Sequence, residues 1–343
     1  MKTQTLFLHE TPTVSRAAII EHAASALRNG ELVVFPTETV YGLGANIFNE
    51  RAVRGIFRAK NRPADNPLIV HVASDEQAVA LMDVVPPWFD ELVEEFWPGP
   101  LTLVVRRNAA VLDVVSASLP TVAIRMPAHA MAQQLIRAAG VPVAAPSANR
   151  SGRPSPTTAP EAYEEMRGRA TVVIDGGPCR IGIESTVLDL TTKRPIVLRP
   201  GAITPEHIEE VVQTRIAIAR GTTDRPAAPG MKYTHYAPDT PVVLVTGPGA
   251  HARIAREVTR ARDEGRRTAV LGPTPLRKIG ADAFFSLRSG DPVEYARLMY
   301  AGLRALDRQE CAVVFVPGIA AEGIGLAVMN RLRKAATHTI RTT

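Results

Sequence analysis

Cysteine is almost missing from this chain. The two present, Cys179 and Cys311, stand far apart in 343 residues, so no structural disulfide is expected and the pattern suits a reducing compartment. No His or Cys pair has zinc-site spacing, and neither cysteine has the surroundings of a nucleophile. No apolar run reaches the ~18 residues a membrane helix needs, and no basic-then-apolar leader opens the chain. A cytoplasmic protein without membrane contact is expected. Aromatic residues make up only 5%, few for a surface that stacks bases.

Familiar active-site signatures are absent too. There is no G-x-x-x-x-G-K-[ST], which excludes a P-loop nucleotide binder. Gly42-Leu-Gly44 is followed by Ala45, Asn46 and Ile47, so the dinucleotide fingerprint lacks its third glycine. There is no G-x-S-x-G elbow. Covalent catalysis and metal hydrolysis are disfavoured, and no metal-ligating set is expected.

What is present is the composition of a soluble globular protein, 45% hydrophobic and 22% charged, long enough for two domains. Forty Lys+Arg against 34 Asp+Glu suit an anionic partner, although so mild an excess is also common in proteins that bind none. The one basic cluster, Arg331-Leu-Arg333-Lys334, reads as the charge set of a helix C-terminus.

Apolar spacing predicts helices over 15–28 (closed by Gly30), 49–60 (capped by Asn49), 88–97, 129–139 and 161–167. Strands are expected over 31–35, 68–72, 101–105, 122–126, 171–175, 185–190 and 196–198, and 151–160 as a turn-rich loop. Several strands follow one another without a helix between them, which predicts a mixed twisted sheet rather than a parallel doubly wound one. Residues 222–230 are too rich in Pro, Gly and Thr to pack a core and read as part of a linker, 218–240. Met231-Lys-Tyr-Thr-His-Tyr236 is oddly rich in aromatic and polar groups for a tether and suggests a gating role. Beyond it, strands at 242–245, 268–271 and 313–316 alternate with helices, which predicts a smaller parallel-sheet α/β domain over 241–343 after an N-terminal domain of 1–217.

Candidate chemistry collects in three segments. The run from Phe35 to Gly44 joins a buried strand to a loop with threonines, a carboxylate and two glycines. Lys60 and Arg62 follow a helix and precede Pro63. On extended chain they face one way, which suits an anion between them; the alternative is a helix end dressed for its dipole. Ser147 and Asn149 stand just past a strand, either facing a ligand or bonding their own turn. Arg125 on a strand needs an anion or an acidic partner. His71 interrupts an apolar strand, as a ligand or a satisfied core histidine.

Together, Phe35-Pro-Thr-Glu-Thr-Val-Tyr-Gly-Leu-Gly44, Lys60-Asn-Arg62-Pro63, Asp65-Asn-Pro-Leu68 and Pro146-Ser147-Ala148-Asn149, with Ser151-Gly152, closely resemble the YrdC family over about residues 12 to 210. The tail resembles the linker and C-terminal Rossmann-like domain of its long, two-domain type. The resemblance implies a threonylcarbamoyl-AMP synthase, which joins L-threonine, bicarbonate and ATP (with Mg²⁺) and releases pyrophosphate for tRNA modification. Carried over by position, Lys60 and Arg62 would meet phosphate as the catalytic pair, with Ser147 and Asn149 opposite. Thr39, His71, Arg125 and Ser185 would hold threonine; Asn66, Thr121, Ser155, Arg199 and Tyr236 would help hold ATP. Gly42 and Gly44 would let backbone approach the ligand. Downstream threonylcarbamoyl-transfer proteins, and a contact with tRNA, would be its partners. Two other readings stand beside it: a non-catalytic module that binds tRNA or structured RNA, and a carbamoyl-transfer domain like that of hydrogenase-maturation proteins. The latter's zinc-finger-like parts need more cysteines than this chain has.

Overall fold

The structure is a computed structural model that describes residues 3–219 and 236–342. The Pro/Gly/Thr-rich stretch 222–230 and residues 231–235 of the expected gate lie outside the described residues. The described chain divides into two compact units. One comprises 3–151, 156–180 and 184–219; the other comprises 152–155, 181–183 and 236–342.

The first unit is built on one mixed sheet. Its strands are β1 (Leu6–Leu8), β2 (Val33–Phe35), β3 (Gly42–Asn46), β4 (Ile69–His71), β5 (Leu101–Arg106), β6 (Thr121–Arg125), β7 (Val143–Ala144), β8 (Val172–Ile174), β9 (Thr186–Asp189), β10 (Ile196–Arg199) and β11 (Ala217–Ile218). They lie in the order β1-β8-β2-β3-β7-β4-β6-β5-β9-β10-β11. Parallel and antiparallel pairs alternate irregularly, as the runs of strands without helices predict. Helices cover both faces. Arg16–Arg28 and Ala130–Ala139 share one core through Ile19, Ala23, Leu27, Ala132, Leu135 and Ile136. Glu50–Lys60 and Phe89–Phe96 pack through Val53, Ile56, Phe57, Phe89 and Leu92 into another.

The sequence pattern places Gly42-Leu-Gly44 in a loop that lets backbone approach a ligand, but these residues form β3, fully buried and antiparallel to β2. The glycines make room for the protein itself. A Cβ on Gly44 would come within 2.8 Å of the Phe35 ring and 2.9 Å of Val143, and one on Gly42 within 3.4 Å of Ala145. Pro160, expected in a loop, lies in the first turn of helix Ala159–Met166, where its missing N–H is no loss; Thr158 and Glu161 close that end as a capping box. The helix Pro205–Val212, absent from the sequence expectations, carries the same signal, Thr204 as cap and Pro at N1.

The second unit is a parallel sheet: β12 (Val242–Thr246), β13 (Thr268–Gly272), β14 (Ala283–Ser286), β15 (Val313–Pro317) and β16 (His338–Arg341). Their order is β14-β13-β15-β12-β16, and every pair is parallel. Central strands β12, β13 and β15 read as apolar runs; edge strands β14 and β16 are less buried, and β16 shows no such run. Arg331, expected in the charge set of a helix C-terminus, is wholly buried, with its guanidinium 5.9 Å from the centre of the Tyr236 ring. Helix Ile324–Ala335 turns Arg331 inward while Arg333 stays exposed.

A Gly44→Ala variant should lose about 1–3 kcal/mol of stability, because the added methyl overpacks a filled core. A urea midpoint equal to the parent's would show that Phe35 and Val143 can yield.

Candidate active site

Residues 36–41 leave β2 as a polar turn and return as β3. Thr37 organises it: its hydroxyl donates to Val40 O at 2.6 Å and accepts the Thr39 and Val40 N–H groups at 3.2 Å. This side-chain turn fixes the backbone without secondary structure. It sets the Thr39 hydroxyl 2.8 Å from that of Thr37 and sends the Glu38 carboxylate inward, 1% exposed.

Arg125 meets both. It ends β6, beside His71 at the end of the parallel strand β4. Its Nη2 donates to Glu38 Oε1 at 2.5 Å, Nη1 to Thr39 Oγ1 at 2.9 Å and Nε to Gly99 O at 3.1 Å. Of the two partners the sequence leaves open for Arg125, the protein itself supplies the acid. The other carboxylate oxygen, Glu38 Oε2, is buried without a partner among the described residues, as is His71 Nδ1. Burial, then the neighbouring Arg125 charge, lower the His71 pKa to about 3, so the imidazole is neutral at physiological pH.

A second cluster forms around Lys60. The sequence pattern suggests Lys60 and Arg62 on extended chain facing one way. Lys60 is instead the last residue of its helix, and Asn61 turns left-handed (φ 51°) to cap it. The buried Lys60 Nζ donates to Ser147 O and Asn149 O. Desolvation first, then the charge of Arg62, hold its pKa well below the lysine range. Arg62 donates to Asn66 O at 3.3 Å and Pro67 O at 3.1 Å. Ser147 Oγ donates to Asn149 Oδ1 at 2.5 Å, and Ser147 bridges to Gly42 of β3. The Asn66 side-chain oxygen is buried without a partner among the described residues.

At the start of β9, Ser185 Oγ lies 2.7 Å from Thr102 Oγ1 and accepts from Arg199 Nη2 at 3.0 Å. Arg199 also donates to Ser185 O at 3.1 Å. Thr102 is on β5, next to β6, which carries Arg125.

The fold thus joins Thr39 to Arg125 by a hydrogen bond, sets His71 beside Arg125, links Lys60 to Ser147 and Asn149, ties Arg62 to Asn66, and pairs Ser185 with Arg199. Thr121 opens β6, four residues before Arg125 and so ~13 Å along the strand; it stands outside these bonds. Ser155 and Tyr236 belong to the second unit, where Tyr236 stacks on Tyr300 at 5.4 Å. Sequence reasoning missed Thr37, Glu38 and Thr102 as individual residues. Glu38 was legible as a carboxylate inside the motif, but only the fold shows that it neutralises Arg125. Among the described residues no group of three or more His, Cys, Asp or Glu could hold a metal ion, and no helix is long and apolar enough to cross a membrane.

Residues 25–201 match the Sua5–YciO–YrdC family model, described as telomere recombination, and 203–337 match the model for the threonylcarbamoyl-AMP synthase C-terminal domain. A threonylcarbamoyl-AMP synthase of Pyrococcus abyssi is 48% identical over 327 residues, which span 94% of this chain and 95% of that one. One from Bacillus subtilis is 44% identical over 345 residues, 98% of each chain. Among solved structures, P. abyssi Sua5 complexed with L-threonine aligns with a TM-score of 0.93 at 44% identity, over 99% of this chain and 100% of that one.

Glu38→Ala should destabilise the fold by about 3–5 kcal/mol, since it strands a buried guanidinium, while Glu38→Gln should cost less. A loss below about 1 kcal/mol for Glu38→Ala in urea unfolding would show that the pair is not structural. The depressed His71 pKa makes the unfolded chain bind a proton that the folded chain refuses. Stability should therefore rise with pH between about 3 and 6.5. In His71→Asn that slope should flatten; an unchanged slope would contradict the assignment.

Proposed function

The chain belongs to the Sua5–YciO–YrdC family, and we propose that it joins L-threonine, bicarbonate and ATP into threonylcarbamoyl-AMP, releasing pyrophosphate. It is an adenylyl-transferring enzyme. One observation carries the reading: both family domains are present in order, and synthases of that name match it at 44–48% identity over nearly its whole length.

The chemistry balances without an enzyme nucleophile. The threonine ammonium first gives up a proton, and the free amine then adds to bicarbonate with loss of water, leaving a carbamate. A carbamate oxygen then attacks the α-phosphorus of ATP, and pyrophosphate leaves with the electron pair. The protein must hold anions together and offset their charge, which preorganised donors do well. We assign threonine to Thr39, His71, Arg125 and Ser185. The neutral His71 and the partnerless Glu38 Oε2 can accept the hydrogens that threonine brings. ATP is assigned to Lys60, Arg62, Asn66, Thr121, Ser147, Asn149, Ser155, Arg199 and Tyr236. Within that set Lys60 acts twice. It pins the 147–149 turn through two carbonyls, and a phosphate beside it would restore the charged form that burial and Arg62 disfavour. Mg²⁺ would arrive on the ATP phosphates, since the described residues offer it no carboxylate cluster. In this reading residues 1–217 form the catalytic domain, joined by 218–240 to a second domain at 241–343. The mixed anhydride is then consumed by a separate transferase that acylates tRNA.

Pyrophosphate release should require all three substrates when each is omitted in turn. Lys60→Ala and Arg62→Ala should each slow it at least ~100-fold, the scale for losing one preorganised donor. Full activity in both variants would sink the site assignment, and release without threonine or bicarbonate would sink the reaction.

A further inference from the structure

The second unit contains a cleft that the synthase reaction does not use. In its sheet β12 and β15 are neighbours. Helix Ala250–Asp263 carries the chain from β12 to β13, beyond β15; helix Ile324–Ala335 carries it from β15 to β16, beyond β12. The two outgoing connections therefore run in opposite directions, each past the other's strand. At such a point a parallel sheet opens a crevice past its carboxyl ends, where ligands bind. A cleft of about 1020 Å³ lies there, lined by Thr246 at the end of β12, Gly318 and Ile319 past β15, and Arg341 on β16. That is room for one small molecule.

Its chemistry is cationic. Thr246 and Arg341 are register partners on adjacent parallel strands, and Arg333 lines the cleft from helix Ile324–Ala335. Both Arg333 and Arg341 are exposed, and neither makes a side-chain hydrogen bond or an ion pair among the described residues. Among the described residues no acidic side chain lines the cleft. Two like charges facing one space repel unless an anion lies between them. Among the described residues the Ile319 N–H donates only to the Met329 thioether sulfur at 3.3 Å, a weak acceptor that an anionic oxygen would better. Gly318 lets the side chains of Thr246 and Met329 pack against its backbone: a Cβ there would come within 2.8 Å of Thr246 Cγ2.

We propose that this cleft binds a diphosphate-bearing small molecule, free pyrophosphate or a nucleotide, with Arg333 and Arg341 gripping the phosphate oxygens. An RNA strand fits less well, because backbone binding draws on many cations along a track, and among the described residues only two line this cleft. The site lies wholly within the second unit and does not depend on how the substrates are assigned above.

Equilibrium dialysis of the full chain with radiolabelled ADP tests it, beside an Arg333→Ala/Arg341→Ala variant whose folding is checked by circular dichroism. One class of bound ADP should weaken at least ~10-fold in the variant, as loss of charge-assisted bonds requires, while threonine-dependent pyrophosphate release stays within about twofold of the parent. A parallel arm with labelled inorganic pyrophosphate identifies the source. Tighter ADP binding assigns a nucleotide and equal binding the free diphosphate, and either supports the site. Superimposable ADP and pyrophosphate curves for the two chains would overturn it, as would loss of tRNA retention with ADP and pyrophosphate binding unchanged.

Discussion

A guanidinium buried at the end of β6 sets terms for everything around it. Arg125 is 3% exposed, and an uncompensated charge there would be ruinous. The Glu38 carboxylate, the Thr39 hydroxyl and the Gly99 carbonyl satisfy it together. Two of these come from one short turn, and that turn keeps its shape because Thr37 bonds its own backbone. The ion pair thus anchors the segment between β2 and β3 to a strand from another part of the sheet. It is more a constraint than a source of stability, since desolvation consumes much of the attraction. Its use is positional: it holds a fixed positive charge beside a neutral imidazole and an unsaturated carboxylate oxygen.

Close packing enforces the same precision nearby. Gly42 and Gly44 let β3 lie against Phe35, Val143 and Ala145, so the turn is held from below by a core with no slack. On β3's other side Ser147 bridges to Gly42, and the Lys60 Nζ ties down the carbonyls of the 147–149 turn. Charge and packing meet in one place: Gly42, Ser147 and His71 stand on or beside the adjoining strands β3, β7 and β4. The second unit shows a different logic, a regular parallel sheet whose crevice is placed by topology and whose two cleft arginines have no internal partner among the described residues.

The amino-acid order by itself determined much. Helical spacing and caps located most helices, and apolar runs located the central strands, because buried elements must show one continuous face or run. The missing helix between several strands announced a mixed sheet. The motif residues near 35–44, 60–68 and 146–152 were legible as one family's pattern. The tertiary structure decided what sequence spacing does not carry. Long-range partners are set by how strands stack, so Glu38 meets Arg125 across 87 positions and Lys60 meets the 147–149 turn. Gly42 and Gly44 looked like a ligand-binding loop and are a strand, because the space beside a glycine is visible only once its neighbours are placed. Lys60 and Arg62 looked like a forward-facing pair, and the left-handed Asn61 between them turns the chain. Arg331 looked like one of a helix-end charge set and is buried, whereas Arg333, two residues on, is exposed: a helix turns by about 100° per residue, and only packing says which side faces in.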